Sequence, residues 1–269
     1  MPFVSRPKRV VRNNSLMIAG TPWLAGRKPN PRAGVRLFCF PYGGGGDSIF
    51  RSWQKGLSET IEVCPVQLPG RGARITEPPF TELGPLVRAA AQALAPHLDK
   101  PFAFFGHSMG ALVGFELARH LSRGGGPQPV HLFVSGRCSP QTLIEPFAGD
   151  LPDSEFTEVL RRSNGTPEEV LENRELMELV LPVVRADFAV CKSYVYTPEL
   201  PFSFPITAFG GLEDRGVSRK CIEGWREHTT GPFVLRMLPG GHFFLSTSES
   251  LLLEAISKEL ERDVRDKRD

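Results

Sequence analysis

The chain has 269 residues, 41% of them hydrophobic and 23% charged, with a formal net charge of +2. That length accommodates one large α/β domain with a full core, and the near-neutral balance gives no electrostatic argument for nucleic acid or an anionic membrane as partner. No run approaches the roughly 20 apolar residues of a membrane span, and the five cysteines, Cys39, Cys64, Cys138, Cys191 and Cys221, are scattered without a C-x-x-C pair, which implies neither a disulfide framework nor a zinc site and suits reduced thiols in a cytoplasmic protein.

Residues 1–36 hold Arg6, Lys8, Arg9, Arg12, Arg27, Lys28, Arg32 and Arg36 and no acidic residue. The segment lacks periodicity and a sustained apolar run, so residues 1–32 are expected to form a basic, disordered extension ahead of a domain over 33–263. It has no apolar core of a secretory signal, although an Arg-rich, acid-poor start is also the composition of an organelle transit peptide. The first strand is predicted at Val35-Arg36-Leu37-Phe38-Cys39-Phe40 and runs into Pro41-Tyr42-Gly43-Gly44-Gly45-Gly46. Such a glycine run is a flexible loop, a phosphate cradle or a source of backbone N–H donors. No G-K-[ST] follows, and no G-x-G-x-x-G opens a helix there, which argues against the cradle.

A weaker strand is predicted over 61–66, followed by the turn Gln67-Leu68-Pro69-Gly70-Arg71-Gly72, with Arg74 just beyond. Residues 82–98 have helical spacing, with Leu83, Leu86, Val87, Ala90, Ala91 and Leu94 on one face. The apolar run Pro101–Phe105 suits a strand buried on both faces of a parallel sheet. It leads into Gly106-His107-Ser108-Met109-Gly110, and then into helical spacing at Ala111, Leu112, Phe115 and Ala118. Strand, glycine-flanked turn and helix form the context in which G-x-S-x-G is a nucleophile elbow. The serine sits in a strained turn, and Gly106 and Gly110 leave room where a side chain would collide across it. The following helix N-terminus favours developing negative charge beside Ser108.

Another buried strand is predicted over 130–135. From 138 to 201 no strand-like run occurs; polar helical stretches at 153–163 and 167–180 are punctuated by Pro146, Pro152, Pro167 and Pro182. An insertion this long is usually functional, and a helical lid over about 138–201 is expected. Phe147, Phe156, Leu160, Leu176 and Leu179 line an acyl pocket or form the lid's own core. Further strands follow at 205–209 and 233–238, with helices around 220–228 and over 249–262, and a charged tail at 264–269.

A serine hydroxyl needs a base within reach, and the base needs a carboxylate to set its tautomer. Ser108, Asp214 and His242 occur in that chain order, each on a loop after a predicted strand, where chemistry gathers in open α/β sheets. His97 and His120 fall on predicted helices, His131 in a strand, His228 at a helix end and His107 inside the elbow itself; His242 alone sits in a glycine-rich loop after the last strand. Glu213 is the competing acid, disfavoured by position, and Asp187 beside Arg185 suits a structural ion pair. The expected oxyanion donors are the backbone N–H groups of Tyr42 and Met109, with Gly43 the competitor of Tyr42. Losing one such donor costs about 3–4 kcal/mol in a well-studied hydrolase. Gly43, His107 and Phe243 are the expected substrate contacts.

Across residues 33–260 the sequence resembles the type II thioesterases, stand-alone editing enzymes of polyketide and nonribosomal peptide assembly lines. It is also similar to the medium-chain acyl thioesterase of animal fatty acid synthesis. The resemblance rests on Phe40-Pro41-Tyr42-Gly43-Gly44-Gly45, Gln67-Leu68-Pro69-Gly70-Arg71, Phe105-Gly106-His107-Ser108-Met109-Gly110, Arg185-Ala186-Asp187 and Leu238-Pro239-Gly240-Gly241-His242-Phe243. It implies an α/β-hydrolase fold, with a mostly parallel central sheet, flanking helices and a helical lid. The nucleophile falls on Ser108, the acid on Asp214 and the base on His242. The family commonly has Ala or Met at the position of Gly43.

The resemblance further implies the substrate, an acyl group held as a thioester on the phosphopantetheine arm of an acyl or peptidyl carrier protein; a monomer is the expected state. Phosphopantetheine arrives with the substrate, and no metal or redox cofactor is expected. Carrier proteins are usually acidic, so Arg71, Arg74, Arg161 or Arg162 either meet them or are solvated surface arginines. The same triad also serves a carboxylester hydrolase or lipase, or a pathway-specific product-releasing thioesterase.

Overall fold

The computed structural model describes residues 21–142, 148–163 and 165–266. In chain order the elements are β1 (Val35–Phe40), α1 (Trp53–Gly56), β2 (Ile61–Pro65), α2 (Leu83–Leu94), β3 (Phe102–His107), α3 (Met109–Arg123), β4 (His131–Ser135), α4 (Asp153–Ser163), α5 (Glu168–Leu171), α6 (Arg174–Lys192), β5 (Ile206–Gly211), α7 (Arg219–Glu223), β6 (Phe233–Leu238), α8 (Phe244–Thr247) and α9 (Glu249–Asp266). The strands pair in parallel in the order β2-β1-β3-β4-β5-β6. The chain therefore builds outward in one direction to β2, then returns past β1 and builds in the other. That reversal leaves a crevice at the carboxyl ends of β1 and β3, where open α/β sheets place their ligands.

Residues of β1 to β5 are buried on both faces, and alternation divides them. Phe38, Phe40 and Phe104 point to the layer of α2 and α3, with Leu86, Leu112 and Phe115. Leu37, Cys39 and Phe105 point to the opposite layer, with Trp53, Leu252, Ile256 and Leu260. The two-residue period of the strands thus distributes one apolar run into two cores. On that second face His131, in the sheet, bonds Asp263 Oδ2 through Nδ1 at 2.5 Å and Thr207 Oγ1 through Nε2 at 2.9 Å, which ties α9 to β4 and β5.

Three expectations need correction, and one open alternative is decided. The first concerns the basic leader, because the folded unit reaches back to residue 21. Trp23 and Leu24 are buried, Gln67 N donates to Trp23 O at 2.8 Å, and the Arg74 guanidinium lies 4.7 Å over the Trp23 ring. Arg27 binds the buried Glu62 at 2.5 Å, so part of the basic run neutralises an acid of the edge strand β2. Residues 1–20 lie outside the described residues. At the other end α9 continues to Asp266 rather than stopping at 262.

The second correction concerns cysteine. Cys138 and Cys221 form a disulfide across 83 residues. Cys138 follows β4 and Cys221 lies in α7 after β5; because β4 and β5 are neighbours, the two Cα atoms come to 4.7 Å, which linear spacing cannot reveal.

The third concerns the insertion. Residues 167–180 are not one helix: α5 is a single turn, and α6 starts where Asn173 caps Leu176 N at 3.1 Å and continues through Pro182 to Lys192. The open alternative is that of the insertion's apolar residues, acyl pocket or the insertion's own core. Phe156 and Leu160 are buried with Leu171 and Val184 in the insertion's own small core, while Leu176 and Leu179 are exposed. Phe156 and Leu160 thus follow the core alternative, and Phe147 lies outside the described residues. Val190, near the C-terminal end of α6, belongs to the main core.

Candidate active site

Ser108 occupies the turn between β3 and α3 with φ 53° and ψ −112°, and it is the one non-glycine residue with positive φ among the described residues. A conformation of this kind costs on the order of 1–3 kcal/mol and persists only where the surroundings impose it. Here they do. A Cβ on Gly106 would lie 2.0 Å from Gly110 O, and one on Gly110 would lie 2.1 Å from Phe40 O. Ser108 N donates to Ser135 O at 2.8 Å, so the turn is pinned to β4. The Ser108 hydroxyl has no hydrogen-bond partner among the described residues and stands partly exposed at the crevice.

His242 follows β6, and its Nδ1 lies 2.7 Å from Asp214 Oδ2. Asp214 follows β5, beside β6 in the sheet, so adjacent strand ends deliver both groups to one place. Its other oxygen accepts from Gly216 N at 2.9 Å and Val217 N at 3.1 Å. Burial opposes ionisation of Asp214; the hydrogen bond from His242, its charge and the two N–H donors outweigh that, and the carboxyl stays below the usual carboxylate range. With Nδ1 engaged by Asp214, Nε2 is the nitrogen left for a hydroxyl.

The backbone N–H groups of Tyr42 and Met109 donate to no described residue. Met109 is the first residue of α3, where an N–H has no helical acceptor. Tyr42 follows β1 after Pro41, whose carbonyl oxygen would lie 2.7 Å from a Cβ on Gly110. Its ring packs at 4.8 Å against Phe243, which also meets the His242 ring at 5.1 Å. Phe243 in turn lies under the insertion, since a Cβ on Gly165 would fall 2.2 Å from its Cζ.

His107 is a correction. It was expected at the substrate, but it is fully buried behind His242, with ring centroids 5.2 Å apart. Its Nδ1 lies 2.9 Å from Ser135 Oγ, and burial pushes its pKa well below the ordinary histidine value. It therefore packs against the His242 ring as a neutral imidazole. In an elbow the side chains around the serine alternate, so the residue before the nucleophile points back into the sheet.

Arg71 and Arg74 are corrected as well. Neither offers its guanidinium to a partner surface. Arg74 donates to Gln67 O at 3.0 Å and pairs with Glu77 at 2.5 Å. Arg71 forms a two-pronged, buried pair with Asp187, at 2.5 and 2.7 Å. The ion pair expected at Asp187 is thus real, but its partner lies 116 residues away in the chain. Arg161 pairs with Glu158 and Glu168 on the insertion, and Arg162 is exposed. Gly43 faces α6, with Asp187 Cβ 3.5 Å and Phe188 Cε2 4.0 Å from where its Cβ would be.

Among the described residues no group of three or more His, Cys, Asp or Glu side chains could hold a metal ion, and no helix is long and apolar enough to cross a membrane.

The thioesterase domain family matches residues 35–263. The chain is 48% identical over 244 residues to linear gramicidin dehydrogenase LgrE of Brevibacillus parabrevis, covering 89% of this chain and 92% of that protein. It is 48% identical over 242 residues to gramicidin S biosynthesis protein GrsT of Aneurinibacillus migulanus, covering 88% and 93%. Among solved structures it is similar to the type II thioesterase BorB from the borrelidin biosynthetic cluster, with a TM-score of 0.79, 33% identity and coverage of 87% and 95%. With a family match over most of its length and a six-stranded parallel sheet flanked by helices, the chain belongs to the thioesterase domain family and has the α/β-hydrolase fold.

Proposed function

We propose that this chain is a stand-alone editing thioesterase that hydrolyses acyl groups from the phosphopantetheine arm of acyl or peptidyl carrier proteins, unloading nonribosomal peptide or polyketide synthases as a cytoplasmic monomer. One observation carries the reading. The Asp214–His242 pair stands on neighbouring strand ends at the same edge of the sheet as the strained Ser108 elbow. GrsT and BorB, whose names place them in gramicidin S and borrelidin biosynthesis, support the synthase as the setting.

The chemistry follows from these groups. Ser108 Oγ attacks the thioester carbonyl while His242 Nε2 takes its proton, and Asp214 stabilises the imidazolium that forms. The oxyanion develops between the N–H groups of Tyr42 and Met109. The C–S bond breaks, the thiol leaves with the proton from His242, and the acyl group remains as an ester on Ser108. Water then attacks that ester with His242 again as base; the collapse returns the proton to Ser108 and frees the acid. Every group used belongs to this chain, the substrate or water, so the reaction is written without a metal or redox cofactor.

The name of LgrE raises hydride transfer as a second reading. The glycine run does not favour it. A Cβ on Gly44 would lie 2.8 Å from Val184 Cγ2, and Gly43 faces Asp187 and Phe188, so α6 occupies the space over the loop. The loop leads into the short 3-10 turn Asp47–Phe50, not into a long helix whose N-terminus could hold a pyrophosphate.

The test offers acyl-phosphopantetheinyl carrier proteins of several chain lengths beside a matched simple ester, with Ser108→Ala as control. Carrier thioester turnover that dominates and vanishes in the variant is expected. Preference for the ester makes the chain a carboxylester hydrolase, and a variant equal to wild type removes Ser108 from the mechanism.

A further inference from the structure

The loop that carries Tyr42 has four successive glycines, the residues least able to hold a backbone in place. Nonetheless it is held, and by side chains from elsewhere. Gly45 N donates to Tyr42 O at 2.9 Å, closing a turn with Gly44 at its third position and φ +81°, where a type II turn requires glycine. The N–H of the turn's central peptide, Gly44 N, donates to Asp187 Oδ2 at 2.7 Å. Arg71 Nη1 donates to Gly45 O at 3.0 Å, and Gln67 Oε1 accepts from Asp47 N at 2.9 Å. These clamps are joined to one another: Arg71 forks onto both oxygens of Asp187, and Gln67 Nε2 donates to Arg71 O at 2.5 Å. Asp187 and Arg71 are both buried, 2% and 7% exposed, so the contacts are shielded from competing water.

We propose that Asp187 and Arg71 are positioning residues for the thioesterase reaction: together they lock the Tyr42–Gly45 turn so that the Tyr42 N–H stays aimed at the oxyanion. The inference rests on the reading of Tyr42 as an oxyanion donor. Rotation of the Gly43–Gly44 peptide is the motion a glycine turn makes most easily; it loosens the turn that Gly45 N closes on Tyr42 O, and with it the Tyr42 backbone whose own N–H lies two peptides back. Asp187 opposes the rotation by accepting the N–H of the Gly43–Gly44 peptide. Asp187 lies on α6, with Val184 one turn earlier against Gly44, so the insertion's longest helix forms one wall of the oxyanion site. An aim of this kind acts on the transition state, since the oxyanion exists only there.

The decisive variant replaces the ion pair by an apolar one, Arg71→Met with Asp187→Leu. An apolar pair of similar bulk often leaves stability intact or raised, whereas a single deletion strands a buried charge. The expected result is a folded enzyme whose kcat falls by about 10- to 100-fold with KM unchanged, less than the roughly 10²–10³-fold of deleting a donor outright. Asp187→Asn is measured beside it. It keeps an oxygen for Gly44 N but loses the second prong to Arg71, so its kcat should fall between wild type and the pair, again with KM unchanged. Both are assayed well below their melting temperatures. If either folded variant keeps wild-type kcat, or loses activity through KM alone, the positioning role is overturned; if the double variant does not fold, Asp187→Asn decides by the same criterion. Each is assayed on the carrier thioester and on a small ester. Loss of the functional reading would appear as a wild-type enzyme inactive on thioester, and the clamp would still be read on the ester.

Discussion

Gly110 lies against Phe40 so closely that a Cβ built on it would sit 2.1 Å from the Phe40 carbonyl oxygen. Helix α3 thereby starts directly against the end of β1, and the nucleophile turn and the Tyr42 loop share one backbone contact. One turn further along the same helix the situation reverses. A Cβ on Gly114 would meet Phe40 Cδ2 at 3.6 Å and Phe104 Cβ at 3.7 Å, which is ordinary packing.

The two glycines therefore predict opposite outcomes. Gly110→Ala should abolish activity or folding, because the obstacle is backbone on both sides. Gly114→Ala should raise stability by about 0.5–1 kcal/mol, since it removes a flexible residue from a helix interior without a clash. Urea unfolding of both variants, with kcat measured on the folded fraction, checks the contrast.

Asp214→Asn should leave the fold intact and lower kcat by several orders of magnitude. The carboxylate holds His242 in the tautomer that presents Nε2 to the serine, and an amide in its place stabilises the wrong one; about 10⁴-fold is lost in the serine-protease case. Single-turnover kinetics with circular dichroism as a folding control would show it. A loss below about tenfold would return the acid's role to Glu213.

His228 sets a pH dependence of stability. It is buried against Phe115 and Trp225, with Nε2 2.6 Å from Gln141 Oε1. Loss of hydration, then the nearby Arg119 charge, push its pKa down to about 4. Burial pushes His107 in the same direction. The unfolded chain takes up these protons near pH 6.5, the folded chain only further down, so the contribution is complete above about 6.5 and is lost as pH falls from there towards 4. At about 1.4 kcal/mol per tenfold change in proton affinity, His228 alone accounts for on the order of 3 kcal/mol. Denaturant midpoints from pH 7 to 4 should fall, with a shallower slope in His228→Gln; equal slopes would assign the effect elsewhere.

Asp263→Ala should destabilise the chain while sparing the catalytic groups. It leaves His131 buried in the sheet without the partner at Nδ1, at a cost of about 1–3 kcal/mol. Melting temperature should drop and kcat at low temperature should hold. A parallel fall in kcat would mean that α9 also supports the site.

The candidate residues could be picked out because they sit in short local signals. Ser108 stands between glycines at a strand-to-helix junction, and His242 in the glycine-rich loop after the last strand. The apolar runs of β1, β3 and β4 are likewise local, since a strand buried on both faces is apolar at most positions, with Arg36, His107 and His131 among the hydrogen-bonded exceptions. His107 was misplaced for a reason of the same scale: proximity in sequence to the nucleophile says nothing about which side of the sheet a side chain takes.

Sequence by itself determined the main strands and offered Ser108, Asp214 and His242 in that order, each on a loop after a strand. Only the tertiary structure decided which distant groups meet. Arg71 finds Asp187 across 116 residues, Cys138 finds Cys221 across 83, and Arg27 finds Glu62 on the edge strand β2. Each partnership depends on strand order, which brings together segments whose separation along the chain carries no trace of it. A buried charge is tolerable only where such a partner arrives, so the same arginine reads as solvated surface in the sequence and as a clamp in the fold.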